Sequence, residues 1–186
     1  MQAYARPMRW IHWITALLFI TAALIGFYCG LQPAGTSPRR ELLEVHKSLG
    51  VTVLVISILR LLVRAIVKAP PQPHTSSLFI RLASGLNHLG LYVLLLAMPV
   101  TGYLFSSAGN YRLRYFGTFE LPRVFAGQEG VAHFGEVSHD LLAWVVYVAV
   151  AMHVLATIWH VVVLKDGTLD RMWPRRSGSG SAQGGS

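Results

Sequence analysis

Eight histidines stand in a 186-residue chain that is otherwise 53% hydrophobic and only 13% charged. Imidazole offers two kinds of chemistry: a neutral ring nitrogen ligates metals, and the ring picks up and releases protons near neutral pH. Six of the histidines (His12, His46, His88, His139, His153 and His160) lie in apolar runs or at their mouths. A polar side chain in such a place is costly and marks a function. His153 follows His139 by fourteen residues and His160 follows His153 by seven. At ~100° per residue this spacing puts the three on nearly one helix face, with ~21 Å of rise between the first two. The single cysteine, Cys29, excludes an internal disulfide and any cysteine-based metal or iron–sulfur site. His74 and His133 fall in connectors and are expected to be solvated.

The elements that must position these rings are four uncharged or nearly uncharged runs, at about 10–29, 47–67, 87–106 and 139–164. Each is near the ~20 residues that cross a ~30 Å hydrocarbon core. The first is too long, and too aromatic at its flanks, for a cleaved signal peptide. The fold class expected is all-α, an integral membrane four-helix bundle occupying residues 1–176. The connector VKAPPQPHTSS cannot be helical throughout, and the longest connector, 107–138, carries no confident element. Residues 177–186, SGSGSAQGGS, read as a flexible tail of the kind appended in cloning. Pro99 and Gly102 in LAMPVTGYLF predict a kink or a close approach by a neighbour.

An even number of spans puts both termini and the 2–3 connector on one side. That side holds Arg6, Arg9, Arg60, Arg64, Lys68, Arg81, Lys165, Arg171, Arg175 and Arg176 against only Asp166 and Asp170. The positive-inside rule makes it cytoplasmic, N-in and C-in. Because the basic residues adjoin apolar spans and form no exposed cluster, nucleic acid is not an expected partner.

Orientation assigns depths. His46 and His139 each begin a span at the outer surface, whereas His12 and His153 lie at the inner level. Two histidines facing one another across a bundle are the axial ligands of a b-type haem, which needs no covalent C-x-x-C-H attachment. The expectation is therefore two haem b groups, one held by His46 and His139 and one by His12 and His153. Alternatives stay open. Any one of these rings can be a satisfied interfacial histidine, and zinc remains possible, although it wants three or four ligands at one point. His160, ~10 Å further inward than His153, can be a second candidate partner for His12, a headgroup contact, or a group that binds or protonates a quinone. His88 is left without a partner, structural or near a haem propionate. Arg60 and Arg64, one turn apart, either neutralise propionates or anchor the helix by snorkelling.

RWIHW, HKSLGVTVLVISILRLLVR, LNHLGLYVLLLAMPVTGYLF and HDLLAWVVYVAVAMHVLATIWH followed by KDGTLDRMWP together resemble the bacterial cytochrome b561 family, over residues 6 to about 176. The resemblance implies a dihaem cytochrome of the bacterial inner membrane, with His46 and His139 on the outer haem and His12 and His153 on the inner. Members of superoxide oxidase type pass electrons from periplasmic superoxide through the haems to ubiquinone, giving oxygen and ubiquinol. The resemblance also implies that His160 belongs to the quinone site, with Trp13 and Lys165 as neighbours. Related subunits instead relay electrons between a dehydrogenase or hydrogenase partner and the quinone pool. Short connectors favour the self-sufficient enzyme, with no obligate protein partner. An anionic substrate wants positive potential at its entry. Only a local grouping of Arg39, Arg40, Lys47, Arg112, Arg114 and Arg123 can supply it, since the outer side carries as many acids as bases.

Overall fold

The structure is a computed structural model that describes residues 3–67, 70 and 78–173, the first four residues of the third helix by backbone only. Four long helices carry the fold: α1 (Arg6–Gly30), α2 (Arg39–Ile66), α3 (Leu78–Ala108) and α4 (Glu129–Trp159), the last running on into a π-helical turn, His160–Leu164. All four are long and apolar enough to cross a membrane. The chain is a multi-pass membrane protein built as a four-helix bundle. Its closest packing is α1 on α2 and α3 on α4, with α2 against α3 joining the two hairpins.

Many of the positions buried between the helices are small, alongside a few larger ones such as Leu49, Val53 and Val146. Thr15, Ala22, Ser48, Ser57, Thr101, Ser106 and Ser107 are all buried, while Leu17, Leu62, Leu86, Leu141 and Trp144 are more than half exposed. That inversion of a soluble core follows from the solvent: lipid is as apolar as leucine, so helices meet through small residues that let backbones approach.

Three helices start well before the apolar spans. α2 begins at Arg39, α3 at Leu78 and α4 at Glu129. Hydropathy marks only the part that sits in hydrocarbon. Charged extensions such as RRELLEV and EGVAHFGEVS remain helical beyond it, with Glu41 and Glu129 in first turns, where the helix dipole favours acids. His46 and His139 are consequently about two to three turns inside their helices and not at their starts. His133 belongs to α4 rather than to a connector, and it is exposed.

The long connector also holds a β-hairpin, β1 (Arg114–Tyr115) antiparallel to β2 (Phe119–Glu120). Three residues, 116–118, join the strands; Phe116 and Gly117 lie at φ 44° and 72°, a left-handed pair in a turn closed by the Thr118 N–H donating to the Tyr115 carbonyl at 2.9 Å. The hairpin is stapled to α2. Fully buried Ser48 receives the Phe116 N–H at 2.9 Å and donates to the Arg114 carbonyl at 3.2 Å, and the Thr52 and Tyr115 hydroxyls meet at 3.1 Å. At the opposite end a short helix, α5 (Thr168–Met172), folds back on the start of α1, where the Tyr4 N–H donates to the Arg171 carbonyl at 3.0 Å.

His74, Arg175, Arg176 and the tail lie outside the described residues, as does the side chain of Arg81.

Candidate functional site: two tiers of paired imidazoles

The outer tier joins His46 of α2 to His139 of α4, with ring centroids 6.1 Å apart and planes at 86°. Each ring is seated in the same way. His46 Nδ1–H donates to the Ala22 carbonyl at 2.8 Å, and a Cβ on Gly26, one turn further along α1, would lie 2.9 Å from His46 Cε1. His139 Nδ1–H donates to the Met98 carbonyl at 3.1 Å, and a Cβ on Gly102, one turn along α3, would lie 3.0 Å from His139 Cε1. A carbonyl only accepts, so the tautomer follows: Nδ1 carries the proton and Nε2 keeps its lone pair. This is the arrangement that orients a metal-ligating histidine. Gly102 makes the close approach that its sequence context predicts; Gly26 has no comparable flag, since no proline stands near it.

The inner tier joins His12 of α1 to His153 of α4, centroids 6.4 Å apart at 60°. Its surroundings differ. Arg60 Nη2 donates to His12 Nδ1 at 2.9 Å, and the Arg60 guanidinium stacks 5.0 Å from the Tyr92 ring centre. A third ring is present: His88 lies 5.6 Å from His153 at 88°, its Nδ1–H donating to the Ser84 carbonyl at 2.6 Å. The sequence reading left His88 without a partner; the register of α3 brings it to His153 instead. Arg64 is exposed, and Arg60 alone of the two arginines meets the histidine cluster. Met8, Ile11, Arg60, Tyr92 and Met172 line a shallow recess beside the Arg60–His12 pair.

The spacing of both couples fits one metal between two imidazoles. A metal–imidazole bond is about 2.0 Å and the ring centre lies about 1.1 Å behind the nitrogen, so two rings on one ion are roughly 6 Å apart. Among the described residues no three His, Cys, Asp or Glu side chains converge as a metal-ion site of the zinc type.

A third locus closes the inner end. His160 Nδ1–H donates to Asp166 Oδ2 at 2.5 Å, while Asp166 Oδ1 accepts from the Thr168 N–H at 3.0 Å and hydroxyl at 2.7 Å. Partial burial pushes the Asp166 carboxyl up, but these hydrogen bonds, led by the Thr168 hydroxyl, outweigh it and hold the group below the ordinary carboxylate value. The π-helical turn and the left-handed Lys165, φ 50°, reverse the chain so that Asp166 returns to His160. Sequence reasoning counted Asp166 only as a charge, because the reversal has no signature in residue types. Trp13 stands 5.5 Å edge-on to His12 and donates its indole N–H to the Met172 carbonyl at 2.9 Å, so α5 ties the inner tier to this locus. The Lys165 side chain is exposed.

The bases grouped on the outer surface are partly paired: Lys47 with Glu44 at 2.8 Å, Arg114 and Arg112 with the shared Glu120 at 3.2 and 3.7 Å, and Arg40 with Glu41 at 3.6 Å. Arg39 donates its Nε–H to the Cys29 carbonyl at 3.0 Å and keeps its charge.

The family model for prokaryotic cytochrome b561 matches residues 3–175. The chain belongs to the prokaryotic cytochrome b561 family. Membership makes it a membrane electron-transport protein that binds b-type haem. It is 33% identical to cytochrome b561 homolog 2 of Escherichia coli (strain K12) over 167 residues, which are 89% of this chain and 88% of that protein. Against the probable superoxide oxidase CybB of Yersinia pestis, identity is 31% over 169 residues, 90% of this chain and 94% of the relative. Cytochrome b561 homolog 1 of Escherichia coli (strain K12) matches at 29% over 183 residues, 95% and 99% of the two chains.

Proposed function

We propose that this cytochrome b561 is a superoxide:ubiquinone oxidoreductase of the bacterial inner membrane, with both termini cytoplasmic and two b haems. The reaction is two superoxide anions plus ubiquinone plus two protons giving two molecules of oxygen and ubiquinol. The observation that carries the reading is the pair of imidazole couples at bis-imidazole spacing, His46 with His139 and His12 with His153, at two depths of one bundle. The likeness to the probable superoxide oxidase CybB supports the choice of donor.

Bound haem supplies one-electron transfer at each tier. The protein's own part is to hold, space and protonate. The Ala22 and Met98 carbonyls fix His46 and His139 in the tautomer whose Nε2 is free to ligate. On the inner tier His12 must present the same tautomer, so Arg60 has to leave Nδ1; a haem propionate is the anion to which its guanidinium would turn. His160 is the group placed to pass protons to a quinone, and Asp166 fixes its orientation by taking the Nδ1 proton in a hydrogen bond.

The test is stopped-flow mixing of the purified protein with superoxide, with and without ubiquinone. The reading expects haem reduction without any protein partner, and faster haem reoxidation with quinone present. Haem that stays oxidised under superoxide yet reduces with a dehydrogenase partner would make this chain a carrier subunit.

A further inference from the structure

Metal-binding histidines characteristically give their second ring N–H to a carbonyl or carboxylate, which fixes the ring and leaves the ligating nitrogen bare. Three histidines in the bundle show that arrangement with a backbone carbonyl: His46 on Ala22, His139 on Met98 and His88 on Ser84. His153 shows no such bond, and His12 shows a different one. The Nδ1 of His12 accepts from Arg60, so its neutral ring carries the proton on Nε2, the nitrogen that would have to bind iron. His88 also stands beside His153, its ring centre 5.6 Å away against 6.4 Å for His12, so a short outward shift would bring it to the spacing of two imidazoles on one metal. His88 is an exposed residue, not one locked in the bundle core.

We propose that His88 is a second ligand for the inner haem iron, able to replace His12 opposite His153. This rests on the reading of the inner tier as a haem site. The exchange breaks one dative iron–nitrogen bond and forms another, with no electron gained or lost. His12, once released, takes its proton at Nε2 in place of Nδ1 and accepts the Arg60 hydrogen bond, so no net proton is taken up. His88 already holds its proton on Nδ1 against Ser84 and gives up none. The inner tier is thus built with a reserve ligand, whereas the outer tier has two rings and two seats.

The test compares wild type, His12→Ala, His88→Ala and the double variant by haem content and by the low-spin signals in electron paramagnetic resonance. The outer haem serves in each sample as the report that the bundle has folded. His12→Ala is expected to keep two low-spin haems, with the inner signal shifted. His88→Ala keeps two unshifted, and the double variant keeps only the outer one. An inner haem that is lost or high-spin in His12→Ala as fully as in the double variant overturns the proposal. A wild-type protein with no inner haem would instead defeat the underlying haem reading, before His88 is at issue.

Discussion

The two tiers space their paired rings almost equally, 6.1 Å outside and 6.4 Å inside, yet surround them differently. Outside, each imidazole is pressed over a glycine and hydrogen-bonded to a helix carbonyl, and the β-hairpin is stapled to α2 two residues beyond His46. Inside, a guanidinium, a third imidazole and an indole crowd the couple, and an Asp–His pair lies two further turns along. Equal spacing with unequal surroundings separates two tasks. On the proposed reading, the outer tier holds a group rigidly and the inner tier exchanges ligands and protons.

Four substitutions break or sharpen that contrast. The largest effect is expected from His139→Ala, which removes a ring for which the outer tier has no substitute. Haem content should fall from two per chain to one, and superoxide-driven quinone reduction should drop to background; full occupancy would show that the outer couple is not a ligand pair. His160→Ala comes next. Loss of a positioned proton carrier lowers turnover about 10²–10⁴-fold, with both haem spectra intact. A lost spectrum would make His160 a ligand.

Gly102→Ala is expected to matter less, and only outside. A Cβ 3.0 Å from His139 Cε1 forces the ring or α3 to shift, a crowding cost of about 1–3 kcal/mol. It should appear as a lower thermal midpoint and a displaced outer haem potential, with the inner haem unmoved. A shift of both potentials would mean that the tiers are not seated independently.

The smallest effect is expected from Asp166→Asn, with turnover falling roughly tenfold and haem content unchanged. The pH dependence has a definite sign. Asp166 is held below its ordinary value in the folded protein. Its contribution is therefore complete above the unfolded carboxylate value, about 3.9, and is lost as pH falls through the lower folded one. The advantage of wild type over Asp166→Asn should persist down to pH 5, measured as quinone reduction rate. A difference that vanished toward pH 5 would place the titration elsewhere.

Much of this contrast was visible in residue types and much was not. Hydropathy located all four helices, and span direction with helix rise brought His46 to the depth of His139 and His12 to that of His153. Those are regular quantities. The differences between the tiers come from places where regularity fails. Asp166 reaches His160 only because a π-helical turn and a left-handed lysine reverse the chain. Gly26 matters because of a ring on another helix. The charged starts of α2 and α4 lack the apolar signal that marks a span, and the Phe116–Gly117 turn carries a bulky residue where Asn or Asp is the usual cue. His88 was passed over because a pairing scheme by depth had no place for a third ring.

The account stands most directly on a redox titration of the purified protein, followed at the b-haem absorption band. It predicts two one-electron components of equal amplitude, of which His139→Ala removes one. A single component in the wild-type chain, or two that survive the loss of His139, would contradict it.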